Sequence, residues 1–277
     1  MSIGIVGAGQ MGKQLALVFS ALSNVVLITR DVSKAKAELS KSLRVAKRTS
    51  FIKQIGNGEI RFTSDYANLS CCELVVEAVS EIVEIKRVVL SQIVKNVSSK
   101  CVIATNTSTL SITELSMMVS DSQDRFIGCH FFNPATGIPL VEIVMGELSS
   151  DQSKSFVLDL LVKLNFSTIT IKETPGFIVN RALFLMLNEA ICMLDEQVAS
   201  AEDIDSAFKI GLNHPMGPLT LIDFIGLDTC LSILTTLMNE FGESKYRPSK
   251  LLVKKVRANK LGRKTGEGFR VYRKTRQ

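Results

Sequence analysis

Only one of the two histidines in this sequence has neighbours suited to moving a proton. His130 closes the apolar run Phe126-Ile127-Gly128-Cys129 and precedes Phe131-Phe132-Asn133-Pro134. A strand ending there delivers the imidazole to the carboxyl end of a sheet, where open α/β sheets bind their ligands. Glu142 interrupts a second apolar run, Leu140-Val141-Glu142-Ile143-Val144. An ionised carboxylate in such a run is costly to bury unless paired, and His130 is its simplest partner. A carboxylate on one ring nitrogen fixes the tautomer and leaves the other nitrogen for proton transfer. The competing reading is a structural histidine with a surface glutamate on an edge strand. His214, in the turn-rich Asn213-His214-Pro215-Met216-Gly217-Pro218, is expected to hold a loop rather than do chemistry.

A base of this kind suits oxidation of an alcohol, and the start of the chain offers a site for the matching hydride acceptor. Ser2-Ile3-Gly4-Ile5-Val6 reads as a strand, and Gly7-Ala8-Gly9-Gln10-Met11-Gly12 follows it directly. Gly7 allows a tight turn, Gly9 lets the backbone approach a phosphate, and Gly12 lets the next helix pack closely on the strand. The helix start then offers backbone N–H groups and a positive dipole end to a dinucleotide pyrophosphate. Two more residues carry open readings. Ser108, after Asn106-Thr107, either donates to a substrate oxygen or is a turn and cap residue ahead of the next helix. Asn180 either faces a cleft and steadies a carbonyl oxyanion or is a buried amide bonded to backbone.

The elements that must position these residues alternate in the first part of the chain as βαβ units do. Strands are expected at 3–6, 25–29, 74–77, 102–105, 126–130, 140–144 and 167–171, with helical patterns between them. Ser111-Ile112-Thr113-Glu114 has capping-box spacing and should open a helix. Lys34 to Lys53 is a charged helical stretch ending near the turn Gly56-Asn57-Gly58. It is either a solvated surface helix or an arm facing a ligand. At Thr174-Pro175-Gly176 the pattern changes and strands vanish. Helices are expected at 177–196, after Ser200, at 218–241 and at 248–259. The fold class is therefore α/β: a doubly wound, Rossmann-like sheet over 1–173, followed by a smaller all-helical domain over 174–277. A helical second domain commonly buries its apolar face against a partner copy, so a homodimer is expected.

Composition narrows the class of function. Hydrophobic residues make up 46% and charged ones 22%, enough for a sizeable core and against disorder. No run reaches the 18 or more apolar residues of a membrane helix, and the first strand begins where a signal peptide would otherwise lie. The net charge is +6, with part of the excess between Arg247 and Arg276, and interleaved aromatics are lacking. A phosphate-bearing small ligand or an acidic carrier protein suits that balance as well as a nucleic acid would, and neither a nucleic acid nor a membrane is the expected partner. Six cysteines (71, 72, 101, 129, 192 and 230) lie in apolar surroundings without metal-ligand spacing, so buried, reduced thiols in a cytoplasmic protein are expected and no metal.

The strings GAGQMG (7–12), NTSTLSITE (106–114), GCHFFNP (128–134), PLVEIV (139–144), TPGFIVNR (174–181), NHPMGPLTLIDFIGLD (213–228) and SKYRPSKLLVKKVRANKLGRKTGEGF (244–269) span nearly the whole chain. In these the sequence resembles the 3-hydroxyacyl-CoA dehydrogenases, especially the short bacterial 3-hydroxybutyryl-CoA dehydrogenases. The resemblance implies reversible oxidation of a 3-hydroxyacyl thioester to its 3-oxo form, with His130 as general base oriented by Glu142. It implies that Ser108 and Asn180 contact the substrate near its reacting oxygen, and that Glu81, Lys86, Ser108 and Asn133 lie along the nicotinamide half of the cofactor. A structural or nucleotide-sensing relative is the alternative from another class.

Two departures from the family pattern stand out. The family ends its second strand with an Asp that binds the ribose 2′-hydroxyl, whereas an ungapped count from Gly12 brings Arg30 there and Asp31 one residue later. An arginine at that point suits a 2′-phosphate, which favours NADP slightly over NAD, while Asp31 would still reach the ribose if the strand shifts by one residue. The arm after the second strand also looks shorter than usual. Lys41, Arg44, Lys47 and Arg48 remain on it and would serve the phosphates of CoA or of an acyl carrier protein.

Overall fold

The computed structural model describes residues 1–52 and 54–272. Lys53, the expected end of the charged stretch, and the tail beyond Tyr272 lie outside the described residues. The chain divides into two compact units, one of residues Met1–Thr174 and one beginning at Pro175.

The first unit is built on an eight-stranded sheet in the order β3-β2-β1-β4-β5-β6-β7-β8. Its strands are β1 (Ser2–Val6), β2 (Asn24–Ile28), β3 (Ile60–Thr63), β4 (Leu74–Glu77), β5 (Val102–Thr105), β6 (Phe126–Phe131), β7 (Leu140–Met145) and β8 (Ser167–Lys172). Pairings are parallel from β3 across to β6, and β7 then runs antiparallel to β6 with β8 parallel to β7. The order reverses between β1 and β4, the topological switch point at which doubly wound sheets bind ligands. Central strands β4 and β5 are wholly buried, apolar up to a closing Glu77 and Thr105, as expected of parallel strands covered on both faces. The helices are α1 (Gln10–Phe19), α2 (Val32–Thr49), α3 (Val83–Asn96), α4 (Ile112–Ser116) and α5 (Asp151–Lys163). Ser111 caps α4, accepting from the Glu114 N–H at 3.0 Å.

Two strand expectations are corrected. β3 was not expected: Ile60-Arg61-Phe62-Thr63 is a short edge strand with no buried residue, so it lacks the apolar run that marks its neighbours. β2 ends at Ile28, leaving Thr29 in the loop that follows. The charged stretch forms α2 and stops at Thr49, before the Gly56 turn.

The second unit contains α6 (Val179–Asp195), α7 (Ala201–Gly211), α8 (Pro218–Ile225), α9 (Leu227–Phe241) and α10 (Lys250–Arg257) around its own core. The single helix expected over 218–241 is two helices meeting at 97°. Gly226 separates them with φ +106°, a backbone that a side chain rarely adopts. Two buried carboxylates fasten the chain after α10 onto this bundle. Asp223 accepts from the Phe269 and Arg270 N–H groups at 2.8 and 2.9 Å and from the Tyr272 hydroxyl at 2.9 Å. Burial and the Asp223 carboxylate push that phenol up to about 12, so it stays a donor. Asp205 accepts from the Leu219 N–H at 2.8 Å and from Arg270 at 2.9 Å. A Cβ at Gly268 would sit 1.9 Å from Asp223 Oδ1, so this glycine is needed for close approach.

The expectation of uniformly buried thiols is corrected as well. Cys71 is exposed and Cys192 half-buried; Cys72, Cys101, Cys129 and Cys230 are buried. Among the described residues no single helix is long and apolar enough to cross a membrane.

Two outcomes follow for the folded chain. Asp223→Ala takes the acceptor from the half-buried Phe269 and Arg270 amides and is expected to destabilise the protein by about 3 kcal/mol, read as a loss of roughly 6–12 °C in Tm by thermal denaturation. Burial raises the thiols of Cys72, Cys101, Cys129 and Cys230 to about 12, so they stay protonated at neutral pH. The thiolate is the reactive form. A disulfide reagent at pH 8 should therefore modify Cys71 first in the native protein and those four only after unfolding.

Candidate active site

The glycine turn is built for a close approach. Gly7 has φ +108°, and its N–H donates to Ile28 O at 3.0 Å, which ties the turn to the end of β2. A Cβ at Gly12 would lie 1.7 Å from Gly7 O, so α1 can pack on the turn only because residue 12 has none. At Gly9 an added Cβ would meet nothing within 4 Å, leaving open space over the backbone. Gly9 is also the N-cap of α1 and no side chain caps the helix. The first amides of α1 therefore stand at an open, small-residue surface at the switch point, and these residues fit a dinucleotide pyrophosphate.

His130 and Glu142 are directly opposite each other in the β6–β7 register. On an antiparallel pair such residues lie on the same face, and His130 Nδ1 is 2.7 Å from Glu142 Oε2. Glu142 is wholly buried and His130 is 5% exposed. An ionised carboxylate only accepts, which assigns the proton to Nδ1 and the basic lone pair to Nε2. The Phe132 ring packs against the imidazole with centroids 4.7 Å apart.

The Ser108 turn is held beside this pair. Asn106, the residue after β5, donates its N–H to Glu77 O and accepts the Phe131 N–H on its Oδ1 at 3.0 Å. The ends of β5 and β6 are thus tied, one residue from His130 and two from Ser108. Glu81 Oε1 accepts the Ser108 N–H at 2.8 Å and the Thr107 hydroxyl at 2.5 Å. Lys86 is buried, 2.9 Å from both oxygens of Glu77 and 3.3 Å from Glu81 Oε2. Asn133, exposed after β6, meets the start of α1: its Oδ1 accepts from Gln10 Nε2 at 3.2 Å and Gln14 Nε2 at 3.1 Å, while Gln14 Oε1 accepts the Ala135 N–H at 2.6 Å. Met11 stands in the same first turn of α1.

The remaining candidates stand on other elements. Arg30 is exposed just beyond β2, and Asp31 is the N-cap of α2, accepting the Lys34 N–H at 2.9 Å. Lys41, Arg44, Lys47 and Arg48 are exposed along α2. Asn180 stands in the first turn of α6, in the second unit, and is half-buried. His214 donates its N–H to Phe208 O at 3.3 Å and packs its ring near that of Phe208. Gln14, Glu77, Asn106 and Thr107 were not singled out from sequence. Only Glu77 carried a usable signal, a carboxylate ending the apolar run Leu74-Val75-Val76.

Known proteins are similar to this chain along nearly its whole length. Residues 2–174 match the family description "3-hydroxyacyl-CoA dehydrogenase, NAD binding domain", and residues 176–272 match "3-hydroxyacyl-CoA dehydrogenase, C-terminal domain". A protein of Deinococcus radiodurans named "Probable 3-hydroxybutyryl-CoA dehydrogenase" is 42% identical over 280 residues, covering 98% of this chain and all of that protein. The human mitochondrial hydroxyacyl-coenzyme A dehydrogenase is 36% identical, covering 97% of this chain and 90% of its own. Among solved structures, the (S)-3-hydroxybutyryl-CoA dehydrogenase of Ralstonia eutropha superposes with a TM-score of 0.91 at 41% identity, over 99% of each chain. With both of its characteristic domains matched in order and full-length relatives at this level of identity, the chain belongs to the 3-hydroxyacyl-CoA dehydrogenase family.

Proposed function

We propose that this protein interconverts 3-hydroxyacyl-CoA and 3-oxoacyl-CoA thioesters with a nicotinamide dinucleotide, using His130 as general base and Glu142 as its orienting partner. The observation that carries the reading is the 2.7 Å His130–Glu142 contact at the carboxyl end of β6, in the same sheet as the glycine turn.

The chemistry then divides simply. When bound, the nicotinamide supplies the acceptor for the hydride that leaves C3 of the substrate. His130 Nε2 takes the proton of the C3 hydroxyl, and the charge that develops on the ring is stabilised by Glu142 through Nδ1–H. Ser108 and Asn180 are the proposed donors to the substrate near its reacting oxygen. Gly7, Gly9, Gln10, Met11 and Gly12 hold the pyrophosphate, and Glu81, Lys86 and Asn133 line the nicotinamide half. Lys86 would act through Glu81, because its ammonium is enclosed by Glu77 and Glu81. In the opposite direction the same groups run in reverse, with His130 returning the proton.

NADP is proposed as the preferred cofactor. The support is the exposed Arg30 beyond β2, together with Asp31, whose carboxylate is engaged at the start of α2. CoA is proposed as the acyl carrier, with Lys41, Arg44, Lys47 and Arg48 on α2 available to its phosphates. Exposed Ile210, Leu212 and Phe224 in the second unit support assembly as a homodimer.

Replacing His130 or Glu142 by Gln should lower kcat roughly 10²–10⁴-fold while the cofactor Kd, followed by calorimetry, stays near that of the parent. Near-full turnover in either variant would remove the dyad from the mechanism. Acetoacetyl-CoA and an acetoacetyl carrier protein, each assayed with NADH and NADPH, test the remaining assignments. The expected outcome is turnover of the CoA ester with a higher kcat/KM for NADPH. Arg30→Asp should then reverse the cofactor order by about tenfold or more. A strong NADH preference in the parent sinks the Arg30 assignment, and turnover of the carrier-bound ester alone sinks the CoA assignment.

A further inference from the structure

The mechanism uses Ser108 but gives no task to Glu77, the buried acid that holds Lys86 behind it. Glu77, the last residue of β4, is wholly buried, and Lys86, at the start of α3, is 1% exposed. Glu77 is satisfied on every side: by the Lys86 ammonium, by the Thr105 hydroxyl at 2.7 Å and by the Val79 N–H at 2.7 Å. A buried ion pair of this kind is weak evidence for stability, since desolvation offsets its attraction. Here it fixes a position, because the same ammonium reaches Glu81.

Glu81 collects the turn that carries Ser108. Its Oε1 accepts from the Thr107 hydroxyl at 2.5 Å, the Ser108 N–H at 2.8 Å and the Thr109 N–H at 3.3 Å. The Thr107 oxygen accepts in turn from the Leu110 N–H at 3.0 Å and the Thr109 N–H at 3.4 Å. Three successive amides thereby close on one carboxylate oxygen and one hydroxyl, much as backbone nests close on an anion. Thr107 both donates to Glu81 and accepts from the far side of the turn.

We infer that Thr107 is a positioning residue. Its hydroxyl, anchored through Glu81 and Lys86 on Glu77, fixes the 107–110 turn and so aims the Ser108 side chain. The inference rests on the proposed reading of Ser108 as a donor to the substrate, and it adds a residue that touches neither substrate nor cofactor.

Thr107→Val keeps the side-chain shape and removes the hydroxyl, whereas Thr107→Ser keeps the hydroxyl. T107V is expected to lose about tenfold or more in kcat with cofactor KM changed less than about threefold. Amide exchange at residues 108–110 should rise about tenfold. T107S should return both readouts to within about threefold of the parent. Equal impairment of T107S and T107V would overturn the inference, because bulk and not the hydroxyl would then hold the turn. Glu77→Gln removes the charge that anchors Lys86 and provides a second route should T107V fold poorly. The same selective loss of kcat is expected, and unchanged kcat overturns the anchor. Ser108→Ala, run alongside, separates the two levels: an impaired S108A beside a fully active T107V refutes the role of Thr107, while a fully active S108A refutes the reading of Ser108 on which that role depends.

Discussion

Taking a carboxylate out of water costs several kcal/mol unless hydrogen bonds and a counter-charge replace the solvation it loses, and both units are arranged around that constraint. Four carboxylates are buried among the described residues: Glu77, Glu142, Asp205 and Asp223. Each gathers donors from another element of the fold. Glu142 takes Nδ1 of His130 across a strand pair, and Glu77 takes Lys86 from the following helix and Thr105 from the neighbouring strand. Asp205 takes the start of α8, and Asp223 takes residues 269–272. A buried acid that must be satisfied is a strong specifier of which segments meet, even where it adds little to net stability.

The sheet converts that constraint into a working geometry. β4, β5 and β6 are neighbours in parallel register, so their carboxyl ends deliver Glu77, Asn106 and His130 to one edge. Asn106 joins two of these ends by accepting the N–H next to His130. Side chains mounted on strands and a braced turn lose little freedom on meeting a ligand, the condition for effective catalysis by positioning. The glycine turn belongs to the same edge, because Gly7 is bonded to the end of β2 and Asn133 to the first turns of α1.

Much of this was legible in the sequence, and the reasons are steric and electrostatic. The glycine turn could be read because its demands exclude side chains: a Cβ at residue 12 collides with Gly7 O. Glu142 could be read because a charge in an apolar run needs an explanation, and His130 was the partner at hand. What escaped lacked such a contrast. β3 has two apolar residues on an exposed edge. The break at Gly226 was masked because a lone glycine inside an apolar helical pattern costs only about 1 kcal/mol and is often tolerated. Thr107 and Asn106 are ordinary turn residues by type. Their importance comes from Glu81 and Phe131, 26 and 25 residues away in the chain, and no local pattern encodes that distance.

The same reasoning separates two kinds of motif that a family resemblance blends. The strings at 7–12, 106–114, 128–134 and 139–144 hold the residues to which the proposed mechanism assigns roles and those that brace them. In the strings at 213–228 and 244–269, residues 217–220 close on Asp205 and residues 262–269 close on Asp223. Gly217 would place a Cβ 2.3 Å from the Asp205 carboxyl carbon, and Gly262 would place one 2.3 Å from Asp223 O. A relative that kept only the second group would keep this bundle and lose the chemistry. The reading of this chain as an enzyme therefore rests on the first group, and within it on a buried acid that has an imidazole as its partner.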